Sequence, residues 1–342
     1  MKVTVRDIAE KVGLSATSVS LVLNNKPSRI TDESKQKIIN AAKEMGYIHK
    51  EKRIPTKPVK EKILGIIHPN VNNLFLNQCI CGIENYAMIH NYKVLICNVE
   101  DATERTLEYL ELLTKLGTEG VIVIPPIDMN VEGNNTGLGE FFKKSKMQIL
   151  LLDRAIDRVF CDFITSDNKQ GAYLATEHLI LCGHNNIGMI TGTRDVYTSR
   201  KRVEGYKEAL AYYNISIKNE NIYYGDFKSS SGYEAADYFM KRNINAIFSC
   251  NDEMAFGVYH YAKDNGLVVG EDISIVGYDD VSICSKLTPP LTSIHQPGEL
   301  MGKRACEMII KRIKKIEEGT VRDIYFTPQL VERNSVKNVN IN

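Results

Sequence analysis

From Ile63 onward the chain alternates short apolar runs with amphipathic ones, and this limits the folds open to it. "KILGIIHP" leads into "LFLNQCICGIENYAMIH", and "YKVLICNV" leads into "ERTLEYLELLTKLG". "GVIVIPP", "MQILLLD", "NIGMITG", "AIFSCND" and "DISIVGYDD" are further near-continuous apolar runs, each flanked by a helical pattern. A strand that is apolar on both faces is buried on both faces, as in parallel sheets covered by crossover helices. The reading is therefore α/β, and the number of such runs predicts two sheets rather than one. No Gly-x-Gly-x-x-Gly follows the first strand and no Gly-Lys-Ser/Thr loop occurs, so dinucleotide and nucleotide-triphosphate chemistry have no motif here.

Composition adds exclusions. With 43% apolar and 25% charged residues the chain can bury a large core. No apolar run approaches the roughly 18 residues that span a bilayer, and "MKVTVRDIAEKVG" lacks a secretory apolar region, so no membrane association and a cytoplasmic location are expected. The eight cysteines sit singly in apolar segments, which reads as buried reduced thiols, with no metal and no cofactor expected. His178 and His184 are six apart, the wrong spacing for one helix-borne metal site. The net charge of +1 conceals an asymmetry: residues 1–62 carry 14 Lys/Arg against 7 Asp/Glu, and the remainder is acidic. A basic head on an acidic body points to a polyanionic partner for the head.

Within the head, Val5, Ile8, Ala9 and Val12 share one helix face, and Gly13 ends that helix. Ser15 can cap the next, in which Val19, Val22 and Leu23 face inward while Thr17, Leu21 and Asn24 face out, flanked by Ser18 and Ser20. A third helix begins at Thr31, with Ile38, Ile39, Ala42 and Met45 as its core stripe and Gly46 at its close. Three short helices with a glycine turn between the first two describe a helix-turn-helix.

"TVRDIAEKVGLSATSVSLVLNN" followed by "ITDESKQKIINAAKEMGYI" resembles the head of the lactose/galactose repressor family of bacterial transcription regulators. The body motifs "DNKQGAYLATEHLILCGHNNIGMITG", "SRKRVEGYKEAL", "NDEMAFGVYHYAKDNGLVVGEDISIVGYDD", "LTSIHQP" and "TPQLVERNSV" resemble the two-lobed fold that this family shares with periplasmic binding proteins. The resemblance implies a helix-turn-helix domain over 1–47, a basic linker over 48–62 and an effector-binding and dimerisation domain over 63–336. Lobe one is expected at about 63–162 plus 292–320, and lobe two at about 163–291 plus 321–336.

The residues matching the family's base readers are Ala16, Thr17 and Leu21, and Asn24 shares their face. Leucine at position 21, where the family often has arginine, suits a thymine methyl and not a guanine edge. Phosphate contacts are expected from Lys2, Arg6, Lys26, Arg29 and Lys35, and without charge from Ser15, Ser18, Ser20 and Asn25. The family's Asn-x-x-Ala-Arg-x-Leu hinge pattern is absent from "IHKEKRIPTKPVKEK". Pro55 and Pro58 disfavour a continuous hinge helix, and Ile54 is the one large apolar candidate for a minor-groove wedge.

In open parallel sheets, ligands bind beyond the carboxyl ends of the strands. That rule selects Phe75, Asp153, Asn251, Asp252 and Asp279. The resemblance adds Arg202 as the effector-contacting arginine and Phe227 as a ring that packs on ligand. Arginine donating and aspartate accepting suit sugar hydroxyls, and aromatic rings suit sugar faces. The expected function is thus a ligand-responsive regulator, a repressor acting as a homodimer on a pseudo-palindromic duplex operator, with a sugar-like small-molecule effector. A non-sugar effector or a protein co-regulator is the alternative. A sugar-processing enzyme has no catalytic constellation to support it, and a secreted solute-binding protein would have neither the basic head nor this N-terminus.

Overall fold

The computed structural model describes residues 3–24, 26–28, 30–47, 61–131 and 136–340. The chain forms two compact units, Met1–Lys60 and Glu61–Asn342. The linker residues, with Ile54, Pro55 and Pro58, lie outside the described part, as do Lys2, Asn25 and Arg29.

The head unit holds α1 (Val5–Val12), α2 (Ala16–Leu23) and α3 (Asp32–Glu44). Each helix start is set by a local side chain. Thr4 and Asp7 form a reciprocal capping box, Ser15 accepts from the Ser18 N–H, and Thr31 accepts from the Ser34 N–H. Gly13 ends α1 at φ 68°, a left-handed geometry that glycine adopts without strain. Ile8, Ala9, Val19, Val22, Ile38, Ala41 and Ala42 form the core. Ile39, expected inside, is exposed, and Ala41 takes the inward place. The stripe on α3 follows 38, 41, 42 and 45, and Ile39 falls about 100° off it.

The body begins with β1 (Ile63–His68), α4 (Leu74–Ile89), β2 (Lys93–Asn98), α5 (Thr103–Lys115), β3 (Gly120–Val123), α6 (Thr136–Lys144), β4 (Gln148–Leu152) and β5 (Asp162–Ser166). Then come α7 (Asn168–Leu181), β6 (Ile187–Thr191), α8 (Tyr197–Tyr212), β7 (Ile222–Tyr224), α9 (Ser229–Met240), β8 (Ala246–Ser249), α10 (Asp252–Asp264) and β9 (Ser274–Asp279). The last elements are β10 (Thr292–His295), α11 (Gly298–Ile313), β11 (Asp323–Phe326) and β12 (Gln329–Val331). Two six-stranded sheets result, ordered β11-β5-β4-β3-β1-β2 and β12-β10-β9-β8-β6-β7. Every strand pairing is parallel except β10 with β12.

The sheets therefore divide the chain differently from the expected lobe limits. β5 and β11 belong to the first sheet, with Asp323 opposite Phe163, and not to lobe two. β10 belongs to the second sheet, with Thr292 opposite Val276, and not to lobe one. The chain crosses between lobes after Ser166, after His295 and after Phe326. At the first and third crossings the Asp167 N–H donates to the Phe326 carbonyl at 2.8 Å, tying two of the strands together.

α11 returns to lobe one because its face fits α4 at backbone contact. A Cβ on Gly82 would stand 2.0 Å from the Glu299 carbonyl oxygen, and one on Gly302 would stand 1.9 Å from that of Cys79. Only glycine permits that approach. Arg312 then clamps α11 to β5 through two bonds to the Asp162 carboxylate, at 2.7 and 2.8 Å.

Candidate functional site

The carboxyl ends of strands from both sheets open onto one cleft of about 990 Å³. From lobe one it is lined by the β1–α4 loop with Asn70, Asn72 and Asn73, by Phe75, by Asn98 at the end of β2 and Asp101 beyond it, and by Arg154 after β4. From lobe two come Asp226 and Phe227 after β7, Asn251 and Asp252 after β8, and Asp279 at the end of β9. The helices that start here are capped by the loops themselves: Asn73 accepts from the Leu76 N–H and Asn251 from the Met254 N–H.

Five of the seven residues read as effector contacts line the cleft, and two stand behind it. Asp279 has a backbone φ of 113° and accepts from Gln296 Nε2 at 2.7 Å. Burial pushes its carboxyl well above the ordinary carboxylate range; Arg202 opposes that shift and the Asp252 carboxylate adds to it. Gln296 sits at the second lobe crossing, fully buried, and its Oε1 has no partner. Asp252 reaches the cleft wall with both oxygens committed. It accepts from Ser293 Oγ at 2.6 Å, from the Val281 N–H at 2.9 Å and from Cys284 Sγ at 3.1 Å. Burial raises its carboxyl to about 6 despite those bonds. Asn251 is likewise committed, capping α10 and donating to the Phe227 carbonyl at 3.0 Å.

Phe227 adopts φ 66° and lays its ring on Gly192, where a Cβ would lie 2.0 Å from the ring. Arg154 reaches over that ring from the other lobe, 5.8 Å from its centroid, while donating to the Pro125 carbonyl at 2.9 Å. Asp153, also left-handed at φ 67°, stays buried behind Arg154 with Oδ1 unpartnered. Burial raises its carboxyl too. Arg202 is the larger departure. Only 4% exposed, it lies under Tyr278 at 3.7 Å from the ring centroid, donating to Asn168 Oδ1 at 2.8 Å and to the Cys250 carbonyl. It braces the floor of lobe two instead of facing the cleft.

Arg154 and the asparagine loop are not among the residues that the strand-end rule selects. The signal was present in "HPNVNNLF", where three asparagines follow a strand directly. The cations of the lining are both paired: Arg154 with Asp153 and Asp101, and Lys228 with Asp226 at 3.6 Å.

In the head, Thr17 is exposed, Leu21 is half-buried and outside the core cluster, and Ala16 packs partly on the core. Asn24 is turned back: its amide donates to the Ser20 carbonyl at 2.6 Å, leaving only its Oδ1 to reach outward. Ser15 Oγ donates to Ser18 Oγ at 2.9 Å. Arg6 and Lys26 are exposed, whereas Lys35 is held by Asp32 at 2.7 Å. No cluster of potential metal ligands occurs among the described residues.

A helix-turn-helix unit joined to a two-lobed body with a ligand-sized cleft defines a DNA-binding regulator of the effector-sensing class. Residues 4–50 match the family model "Bacterial regulatory proteins, lacI family", and residues 176–336 match "Periplasmic binding protein-like domain". The HTH-type transcriptional repressor PurR of Photobacterium profundum is 32% identical over 341 residues, covering 98% of this chain and 99% of that protein. A LacI family transcriptional regulator from Enterococcus faecium, solved with bound ribose, is 28% identical with a TM-score of 0.72 over 81% of this chain and 100% of its own. The transcriptional regulator CelR in complex with cellobiose has a TM-score of 0.73 at 23% identity, covering 98% of this chain and 100% of its own, and shows the shared fold. The chain belongs to the lacI family of bacterial regulatory proteins. It is a transcriptional regulator and not an enzyme.

Proposed function

We propose that this chain is a repressor that binds a pseudo-palindromic operator as a homodimer and is switched by a neutral, polyhydroxylated, sugar-like molecule held between its lobes. The cleft lining carries this reading. It offers amide and carboxyl groups from both lobes beside Phe75 and Phe227, the pairing that suits hydroxyls around an apolar ring face. Its two cations are already paired, so a phosphorylated ligand finds no free positive charge among the described lining residues. A ligand touching both lobes favours one lobe arrangement over another and can act only through that difference.

On the DNA side, Thr17 and Leu21 present a hydroxyl and a branched apolar group to base edges, with Arg6 and Lys26 on phosphates. For the homodimer, support comes from β2, which ends the first sheet and leaves Leu95 and Ile96 37% and 45% exposed. An apolar edge strand of that kind is a hazard unless another copy covers it. The test is a gel shift on inverted-repeat DNA combined with a thermal-shift screen of sugars, sugar phosphates and purines, repeated with Asp279→Ala. Stabilisation by a neutral sugar that the variant loses supports the reading. Stabilisation by a phosphorylated or purine ligand alone replaces the effector class and leaves the regulator reading standing.

A further inference from the structure

A second, smaller pocket lies outside the cleft on lobe two, about 200 Å³ in volume, lined by Arg194, Ser199, Arg200, Val203 and Tyr224. It has three features that the effector reading does not use. Arg194 has no carboxylate partner among the described residues. Its guanidinium sits over Tyr224, 3.8 Å from the ring centroid, a cation–π contact that holds it at the pocket without using its N–H donors. α8, a 16-residue helix, starts beside it with no side-chain cap and no acid in its first turn, Asp195 standing just ahead of its N-cap. Ser199, in the first turn of that helix, is 1% exposed, and its Oγ has no hydrogen-bond partner. A buried hydroxyl left unpaired is costly unless something arrives to pair it.

Arg200 adds a connection between lobes. From α8 it grips Asp157, on the lobe-one loop after β4, through two bonds at 2.7 and 3.0 Å. Among the other acids near Arg200, Glu204 is held by Lys201 at 2.8 Å, and Asp195 is exposed and outside the pocket lining.

We propose that this pocket is a tetrahedral oxyanion site, separate from the effector cleft, in which Arg194, Ser199 and Arg200 hold a phosphate or a phosphoryl group. Arg200 spends two of its five N–H donors on Asp157, and an anion on the others competes with the Asp157 carboxylate for the same positive charge. Occupancy therefore weakens the interlobe ion pair, and by reciprocity an arrangement that breaks the pair favours the anion. The site stands independently of what fills the cleft.

Inorganic phosphate and glycerol 3-phosphate, titrated into the full-length protein against chloride at matched ionic strength, test this through ³¹P line broadening and calorimetry. Saturable binding of one phosphate per chain is expected. Ser199→Ala and Arg194→Ala should each weaken it about tenfold or more, the loss typical of one hydrogen bond to a charged group. Asp157→Asn should tighten it by freeing Arg200. Tighter binding of glycerol 3-phosphate than of inorganic phosphate identifies a phosphorylated metabolite as the ligand, and the reverse identifies the free anion. No saturable binding by roughly 10 mM phosphate, a decade above a millimolar Kd, overturns the site. So does binding that both pocket variants leave unchanged while circular dichroism shows them folded. Binding that Asp157→Asn leaves unchanged overturns the link to the lobes.

Discussion

Replacing Arg202 with methionine separates two roles for a residue that the sequence marks as an effector contact. In the folded chain its guanidinium is sealed beneath Tyr278 and serves Asn168 Oδ1 and the Cys250 carbonyl. Methionine keeps most of the length and can still touch the ring, a contact of about 0.3–1.5 kcal/mol. It leaves two buried acceptors unpaired, at roughly 1–3 kcal/mol each, and removes a desolvated cation–π contact of about 2 kcal/mol. Relief from burying the charge offsets part of this. The balance is a loss of about 3 kcal/mol, which in a body of this size lowers Tm by roughly 6–12 °C. Thermal melts and urea unfolding of the full chain without ligand are the assay, with Arg202→Lys falling between wild type and methionine because it keeps charge but not the planar stack. A Tm drop under about 2 °C together with a lost effector response would refute the reasoning. Arg202 would then work by reaching into the cleft and not by bracing its floor.

Three other outcomes are expected. Gly192→Ala places a Cβ 2.0 Å from the Phe227 ring and drives that ring toward the cleft, so effector affinity should fall about tenfold or more (~1.4 kcal/mol) while melting changes little; calorimetry with the screened ligand checks this. Leu21→Arg should shift base preference toward guanine at one operator step, whereas Lys26→Ala should weaken all sites alike, and unchanged preference in a binding-site selection would remove residue 21 from the readers. Asp252, raised to about 6 when folded against about 3.9 in an unfolded chain, contributes stability that is full below about pH 4 and is lost as pH rises through about 6; Asp252→Asn should flatten that part of the urea-stability profile.

Much of this fold could be read from local pattern. Near-continuous apolar runs located the strands and period-3.6 spacing the helices, and capping residues such as Ser15 and Thr31 located helix starts. What local pattern does not carry is which sheet a strand joins. β5 and β10 each pair with the strand just before them, β4 and β9, and each takes a later strand on its other side: β11, 160 residues on, and β12. The cleft was legible from strand-end chemistry at Asp279, Asp252, Asn251 and Phe75, and from the family resemblance at Phe227. It was not legible for Arg154, whose place depends on the Pro125 carbonyl, nor for Arg202, because one arginine in a motif says nothing about whether it points into the cleft or beneath its floor.

The three crossings have a consequence for how the protein emerges from the ribosome. The head is complete by residue 47, within a single local stretch, and can close its core while most of the chain is still unmade. Neither lobe has that freedom. The first sheet stays open along β5 until residues 323–326 appear, and the second stays open along β10 until 329–331. α4 likewise shows its glycine face to water until α11 is synthesised. Both lobes therefore close only once residues 323–331 are made, and a product that stops short of them leaves unpaired strand edges in both sheets. Such a fragment is open to edge-to-edge pairing with other copies, a route to aggregation.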